Sequence, residues 1–167
     1  DVDLAEKIRK LRQHGETTRY HHKYVGGNFR LDTIQAATLL IKLKHLDSWA
    51  AGRVANAAIY DDALTGLGAV VTPAIAGGNE SVYNQYVIRA ERRDELQQHL
   101  MDNTVGCGVY YPLGLHEQEC FASLGYVHGD FPETERAAEQ VLALPIYPEL
   151  KPEQVAFAAE TIRAFYA

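Results

Sequence analysis

The stretch Gly26-Gly27-Asn28-Phe29-Arg30-Leu31-Asp32, running on into Gln35-Ala36-Ala37, decides how this chain is read. Paired glycines admit backbone conformations closed to other residues. Behind them stand the amide of Asn28 and the guanidinium of Arg30, groups suited to gripping phosphate or carboxylate. Asp32 and Gln35 have the spacing of a capping box, so a helix should start there. The stretch therefore predicts a ligand-facing loop that feeds a helix.

Working outward from it, Ala36, Leu39, Leu40, Leu43 and Leu46 mark one helical stripe, and Ile34, Ala37 and Ile41 mark a second beside it. So wide an apolar face should be covered on more than one side. The pattern continues through Trp49, Ala55, Ala58 and Ile59 to about Leu64, with Gly52 as a bend, which predicts one long helix acting as a spine between two lobes. Upstream, Leu4 to His14 reads as a short helix stopped by Gly15, and the polar segment Glu16 to Gly27, with Tyr20, Tyr24 and His21-His22, shows no hydrophobic period. Downstream of Gly66 and Gly68 the texture turns to short β signals at Ala69 to Thr72 and Val82 to Arg89. A helix follows at Arg93 to Asp102, then a strand at Gly106 to Tyr111 stopped by Pro112. Pro132 opens a helix through Ala137, Ala138, Val141 and Leu142; Pro152 opens another carrying Val155, Ala159, Ile162 and Tyr166. The expected fold class is α+β: a long helix plus a small, mainly antiparallel sheet with packed helices, divided as 1–66 and 67–167.

Composition bounds the function. The chain of 167 residues can bury a core without disulfides, and its net charge of -6, mixed in sign along the sequence, gives no footprint for nucleic acid or a membrane surface. No apolar run approaches the roughly 18 residues of a membrane span, and no signal-peptide profile opens the chain, so a cytoplasmic address is expected. The chain begins at Asp1 and enters a helical pattern at once, as if cut from something longer. Cys107 and Cys120 lack metal or redox spacing and read as free thiols.

A second constellation is Tyr110-Tyr111-Pro112-Leu113-Gly114-Leu115-His116. Alternation on a strand would send Tyr110 and Tyr111 to opposite faces, and the turn at Pro112 and Gly114 would leave His116 near the sheet edge. His14, His45, His99 and His128 lack partners at ligand spacing, and His21-His22 cannot easily share an ion, so no metal site is expected. A hydrolase built on Cys107 or a serine lacks a nucleophile elbow and an orienting acid. The lysines Lys7, Lys10, Lys23, Lys42, Lys44 and Lys151 read as solvated charges.

With these residues set out, the chain resembles the DegT/DnrJ/EryC1/StrS family of pyridoxal-phosphate-dependent sugar aminotransferases. The resemblance covers nearly the whole length. It is carried by Leu11-Arg12-Gln13-His14-Gly15, Gly27 to Asp32 with Gln35-Ala36-Ala37, Lys42 to Asp47, Tyr83 with Gln85-Tyr86, Tyr111-Pro112 with Leu115-His116, Leu124-Gly125-Tyr126, and Leu144-Pro145 with Tyr147-Pro148. It implies the C-terminal portion of an α/β fold-type-I transferase, with 1–66 ending the large domain and 67–167 forming the small one. The residue matching Asn28 reaches the cofactor phosphate of the neighbouring subunit of a homodimer. The residue matching Arg30 contacts the nucleotide sugar, and those matching Tyr110, Tyr111 and His116 border the substrate cleft. Many members carry histidine where this chain has Tyr110.

The resemblance also implies an absence. The family's Schiff-base lysine, the aspartate on the pyridine nitrogen and the ring-stacking residue all lie upstream of the segment matching Leu4 to Gly15. No catalytic residue is therefore expected among these 167, and a missing N-terminal part is an expected partner. With it, the intact protein would transfer an amino group, from glutamate, to a keto-sugar nucleotide. Without it, the chain would be an inert folded fragment that only binds a nucleotide sugar or dimerises.

Overall fold

Asp1 opens the first helix, α1 (Val2–Leu11), by accepting from the Leu4 amide at 3.1 Å, with Asp3 in the first turn and Arg9 and Lys10 in the last to complement the helix dipole. A computed structural model describes residues 1–167 in two compact units, Asp1–Leu46 and Asp47–Ala167. In the first unit the chain leaves α1 through Gly15, whose φ of +75° and close approach to Tyr24 O suit glycine alone. The polar segment beyond it, expected to lack an element, forms a short antiparallel pair, β1 (Glu16–Thr18) with β2 (His21–His22). The helix α2 (Thr33–Leu43) starts as the sequence predicts: Asp32 Oδ1 accepts from the Ile34 amide at 2.8 Å, and Gln35 reaches back to the Asp32 amide.

The predicted single spine is two helices. After α2 the amides of Lys44 and His45 bond three residues back, to Ile41 O and Lys42 O, and α3 (Leu46–Leu64) begins anew. The interruption carries no glycine or proline; it falls where the two compact units divide. Gly52, expected to bend the helix, lies within α3, where a Cβ would stand 3.1 Å from Pro148 backbone atoms.

In the second unit α3 buries Asn56, Ala57, Tyr60 and Leu64. A three-stranded antiparallel sheet carries the core in the order β3 (Val70–Val71), β4 (Tyr86–Ala90), β5 (Val141–Leu144). Tyr86, Ile88 and Ala90 are buried while Val87 and Arg89 are half-buried, the period-two pattern of a strand covered on one face. Against them pack Leu96 and Leu100 of α4 (Arg93–Asp102) and Val155 and Ile162 of α6 (Pro152–Phe165), all fully buried. Each such side chain contributes about 1.5–3 kcal/mol of transfer free energy. Tyr60 stacks on Tyr86 with centroids 4.9 Å apart, and each hydroxyl is satisfied, by Pro145 O and the Asp61 carboxylate. Burial pushes both phenols far above their ordinary values.

The third strand differs from expectation. Gly106 to Tyr111 is no strand: only Gly108 pairs, exchanging both backbone bonds with Ala143. The pairing segment is Val141–Leu144, whose first residues read as the end of the preceding helix, α5 (Pro132–Gln140). Arg93 decides the switch. Its Nη1 donates to Ala138 O and Val141 O, both at 3.0 Å, and closes the C-terminus of α5 so that Leu142 can pair with Ile88. Arg163 does the same for α3, donating to Ala63 O and Thr65 O at 2.7 Å.

Candidate functional site

In the first unit, the loop at Gly26–Asp32 is held by backbone bonds to the end of α1: Gly27 N to Leu11 O at 3.0 Å, His14 N to Gly27 O at 3.0 Å and Phe29 N to Arg12 O at 2.9 Å. Gly26 and Gly27 serve close approach rather than the unusual dihedral angles expected for them. A Cβ on Gly26 would lie 2.4 Å from Leu11 O, and one on Gly27 would strike the Phe29 ring at 2.6 Å; neither residue has positive φ. Arg30 Nε donates to Asn28 Oδ1 at 2.8 Å, and both side chains are exposed. That bond uses one of the two lone pairs on Asn28 Oδ1, the one acceptor atom in the pair. What remains is rich in donors, the Asn28 NH2 and the rest of the guanidinium, with no carboxylate salt-bridged to Arg30.

In the second unit, Tyr110 and Tyr111 do not point to opposite faces. Their ring centroids lie 6.1 Å apart, because the segment leaves the sheet after Gly108 and loses strand alternation. Tyr110 folds back over Gly108, where a Cβ would stand 3.0 Å from its hydroxyl. Both tyrosines are exposed.

His116 is largely buried. Its side chain is 7% exposed and its Nε2 lies 2.9 Å from Glu135 Oε1, on the first turn of α5. The same oxygen accepts from the amides of Gly129 at 2.8 Å and Phe131 at 3.3 Å. Burial works against the charge on Glu135, but the amide of Gly129, the His116 ring, the amide of Phe131 and the nearby His128 outweigh it and hold this carboxyl below its ordinary value. Next to it, His128 Nδ1 lies 2.8 Å from Glu117 Oε1, and Glu117 Oε2 accepts from the Gly114 amide at 3.3 Å. The hydrogen bond raises His128 and lowers Glu117. His128, which the sequence reading considered only for metal-ligand spacing, thus has a carboxylate hydrogen-bond partner. Ligand atoms of His116, Glu117 and Glu135 fall within 4.8 Å of one another, yet Glu135 Oε1 is already committed to three donors and reads as the hub of a hydrogen-bond network.

His116 also lines an open, mainly apolar pocket of about 440 Å³ with Leu115, Phe121, Leu124, Tyr126, Phe131 and Thr134. Tyr110 and Tyr111 lie outside this lining. Of the residues singled out from sequence, Asn28 and Arg30 are joined in one unit, and Tyr110 and Tyr111 are neighbours in the other. Sequence reasoning missed Glu135, Glu117 and His128. The available signal for Glu135 was an acidic residue in the first turn after Pro132, a pattern shared with many helix starts that bind nothing.

Residues 1–163 match the profile of the DegT/DnrJ/EryC1/StrS aminotransferase family. The chain is 48% identical over 170 aligned residues to a pleiotropic regulatory protein of Geobacillus stearothermophilus, covering 99% of this chain and 45% of that protein. It is 39% identical to the dTDP-3-amino-3,4,6-trideoxy-alpha-D-glucose transaminase of Streptomyces venezuelae, with 98% and 43% covered. The crystal structure of S. venezuelae DesV in complex with a ketimine intermediate superposes with a TM-score of 0.94 at 39% identity, covering 99% of this chain and 44% of that one. An aminotransferase structure from Brucella abortus superposes at 0.91 and 33% identity, covering all of this chain and 44% of the other. The chain therefore spans rather less than half the length of the relatives it matches, and its fold is that of the C-terminal portion of a fold-type-I transferase. It belongs to the DegT/DnrJ/EryC1/StrS aminotransferase family.

Proposed function

We propose that this chain is the C-terminal part of a pyridoxal-phosphate-dependent aminotransferase that moves an amino group, from glutamate, to a keto-sugar nucleotide in the cytoplasm. It works as a homodimer, with 1–66 closing the large domain and 67–167 forming the small one. The observation that carries the proposal is the Asn28–Arg30 pair. Its one acceptor atom already takes a bond from Arg30, and its exposed side chains offer mostly donors, the chemistry that a phosphate or diphosphate needs.

Those residues fit the cofactor's phosphate. Asn28 donates to it without adding charge, and Arg30 binds an anionic part of the sugar nucleotide with its planar fork. Tyr110 and Tyr111 supply hydroxyls, and His116 an imidazole, at the border of the substrate cleft. Bound pyridoxal phosphate supplies the electron sink through which the amino group moves. Its Schiff-base lysine lies on residues outside these 167. Five of the six lysines here are exposed and the sixth, Lys10, is ion-paired with Glu6, so none has the desolvated setting that such an amine requires. That observation supports the reading of the 167-residue chain alone as an inert fragment.

Two measurements test the reading. Borohydride treatment of the chain with pyridoxal phosphate should trap no stoichiometric adduct at a single lysine; an active, stoichiometric adduct refutes it. In the intact enzyme, Asn28→Ala should weaken cofactor retention by about ten-fold or more, the loss of one hydrogen bond to a charged group. Unchanged retention removes Asn28 from the site.

A further inference from the structure

The segment from Gly108 to Phe131 has almost no regular structure beyond the bridge at Gly108 and two short 3₁₀ turns, Leu115–Glu117 and Glu119–Leu124. A backbone of this kind needs something else to fix it, and Glu135 supplies it. One carboxylate oxygen gathers the His116 ring and the amides of Gly129 and Phe131, so the two ends of the pocket-forming stretch are tied to the first turn of α5. The carboxylate is an acceptor only, which makes His116 Nε2 the donor and leaves Nδ1 as a lone-pair acceptor in the neutral ring. Nδ1 has no hydrogen-bond partner in the chain, and it is not among the sealed polar atoms. The ring is held from its other sides too. Phe131 packs on it with centroids 4.9 Å apart, and a Cβ on residue 114 would stand 2.6 Å from Cε1 and 2.7 Å from Nδ1, so only glycine there leaves the imidazole clear.

We infer that Glu135 is the positioning residue of the sugar-nucleotide side of the site: it sets the tautomer and orientation of His116 and anchors the strap that carries Tyr110 and Tyr111. This rests on the reading that these three residues border the substrate cleft. Preorganising an acceptor on an apolar wall favours a ligand with hydroxyl donors and apolar C–H faces, as a hexose has. A strap matched to a hexose should bear on the sugar-nucleotide half of the reaction and not on the glutamate half, so the two halves should separate.

The test uses the intact enzyme. Affinity for dTDP-glucose and UDP-N-acetylglucosamine is measured calorimetrically, and the half-reaction with glutamate is followed by the cofactor's absorbance. Glu135→Ala should weaken the tighter of the two sugar nucleotides about ten-fold while the glutamate half-reaction stays within about two-fold, roughly the 1.4 kcal/mol of one lost positioned contact. Glu135→Gln, which keeps an acceptor oxygen, should recover most of the affinity. Gly114→Ala displaces the His116 ring without touching Glu135; it should reproduce the loss, and adding Glu135→Ala to it should cost little more. If all three variants bind the sugar nucleotide like the parent, or slow both halves equally, the inference is overturned. A parent enzyme that binds the sugar nucleotide in a Glu135-dependent way but never reacts with glutamate would instead overturn the aminotransferase reading and leave this one standing.

Discussion

The two compact units of this chain treat their apolar residues in opposite ways. In Asp47–Ala167 the core residues are inside: Tyr60, Tyr86, Ile88, Leu96, Leu100, Leu142, Val155 and Ile162 are fully buried. In Asp1–Leu46 no hydrophobic side chain is buried, and Ile34, Leu39, Leu40, Ile41 and Leu43 of α2 all stand exposed, Ile34 at 79%. The same helical periodicity therefore has two outcomes. One unit closes its own hydrophobic account by layering helices on a sheet, whereas the other is held by caps and backbone bonds and displays a surface whose burial requires something beyond itself.

The largest expected effect sharpens this contrast. Ile88→Ala should cost the chain about 2–5 kcal/mol, read from urea unfolding with the single Trp49 as probe, while Leu40→Ala on the exposed face should change that transition by no more than about 0.5 kcal/mol. Equal costs would break the comparison. The exposed face of α2 should also make the isolated chain self-associate, with sedimentation showing a mass that rises with concentration and Leu40→Glu returning it towards monomer. A parent chain that stays monomeric at every concentration would show that this surface needs no cover. Smaller again is Asp32→Ala, which removes the capping box of α2 and should cost about 1 kcal/mol, seen as faster amide exchange in the first turn of that helix only. Because the first unit has no core to compensate, the change should not spread to α3.

The smallest effect belongs to pH and the strap around Glu135. His128 is raised above its ordinary 6.5 by its hydrogen bond to Glu117, so its contribution is complete below that value and fades as pH rises through the raised one. Glu117 and Glu135 are lowered from 4.5, so theirs is complete above that value and fades as pH falls through the depressed ones. The strap should be most protected between these limits. His128 is 74% exposed, which makes the alkaline limb shallow. Amide exchange at residues 114–131 against pH should show both limbs, and His128→Ala should erase the alkaline one while keeping the acid one.

Legibility followed the same division. The start of α2 was readable because Asp32 and Gln35 act within one turn, and Arg93–Asp102 was readable in full because Leu96 and Leu100 repeat at helical spacing. The strand Val141–Leu144 was not, since Val141 and Leu142 continue the helical period of α5, while Arg93 and the paired strand β4, both far away in sequence, help to end it. The candidate site divides likewise. Asn28 and Arg30 could be singled out because they are two residues apart in one loop, but His116 and Glu135 are 19 apart, and nothing local announces their contact.

By itself, then, the sequence determined the caps, the amphipathic periods, the α+β class and the family, because these are written in neighbouring residues and in the order of short motifs. Only the tertiary structure decided that the long helix breaks after Leu43, that Val141–Leu144 pairs as a strand, and that Glu135 captures His116. Each of those outcomes depends on which distant group satisfies a carbonyl, an amide or a carboxylate, and that choice exists only once the chain has folded.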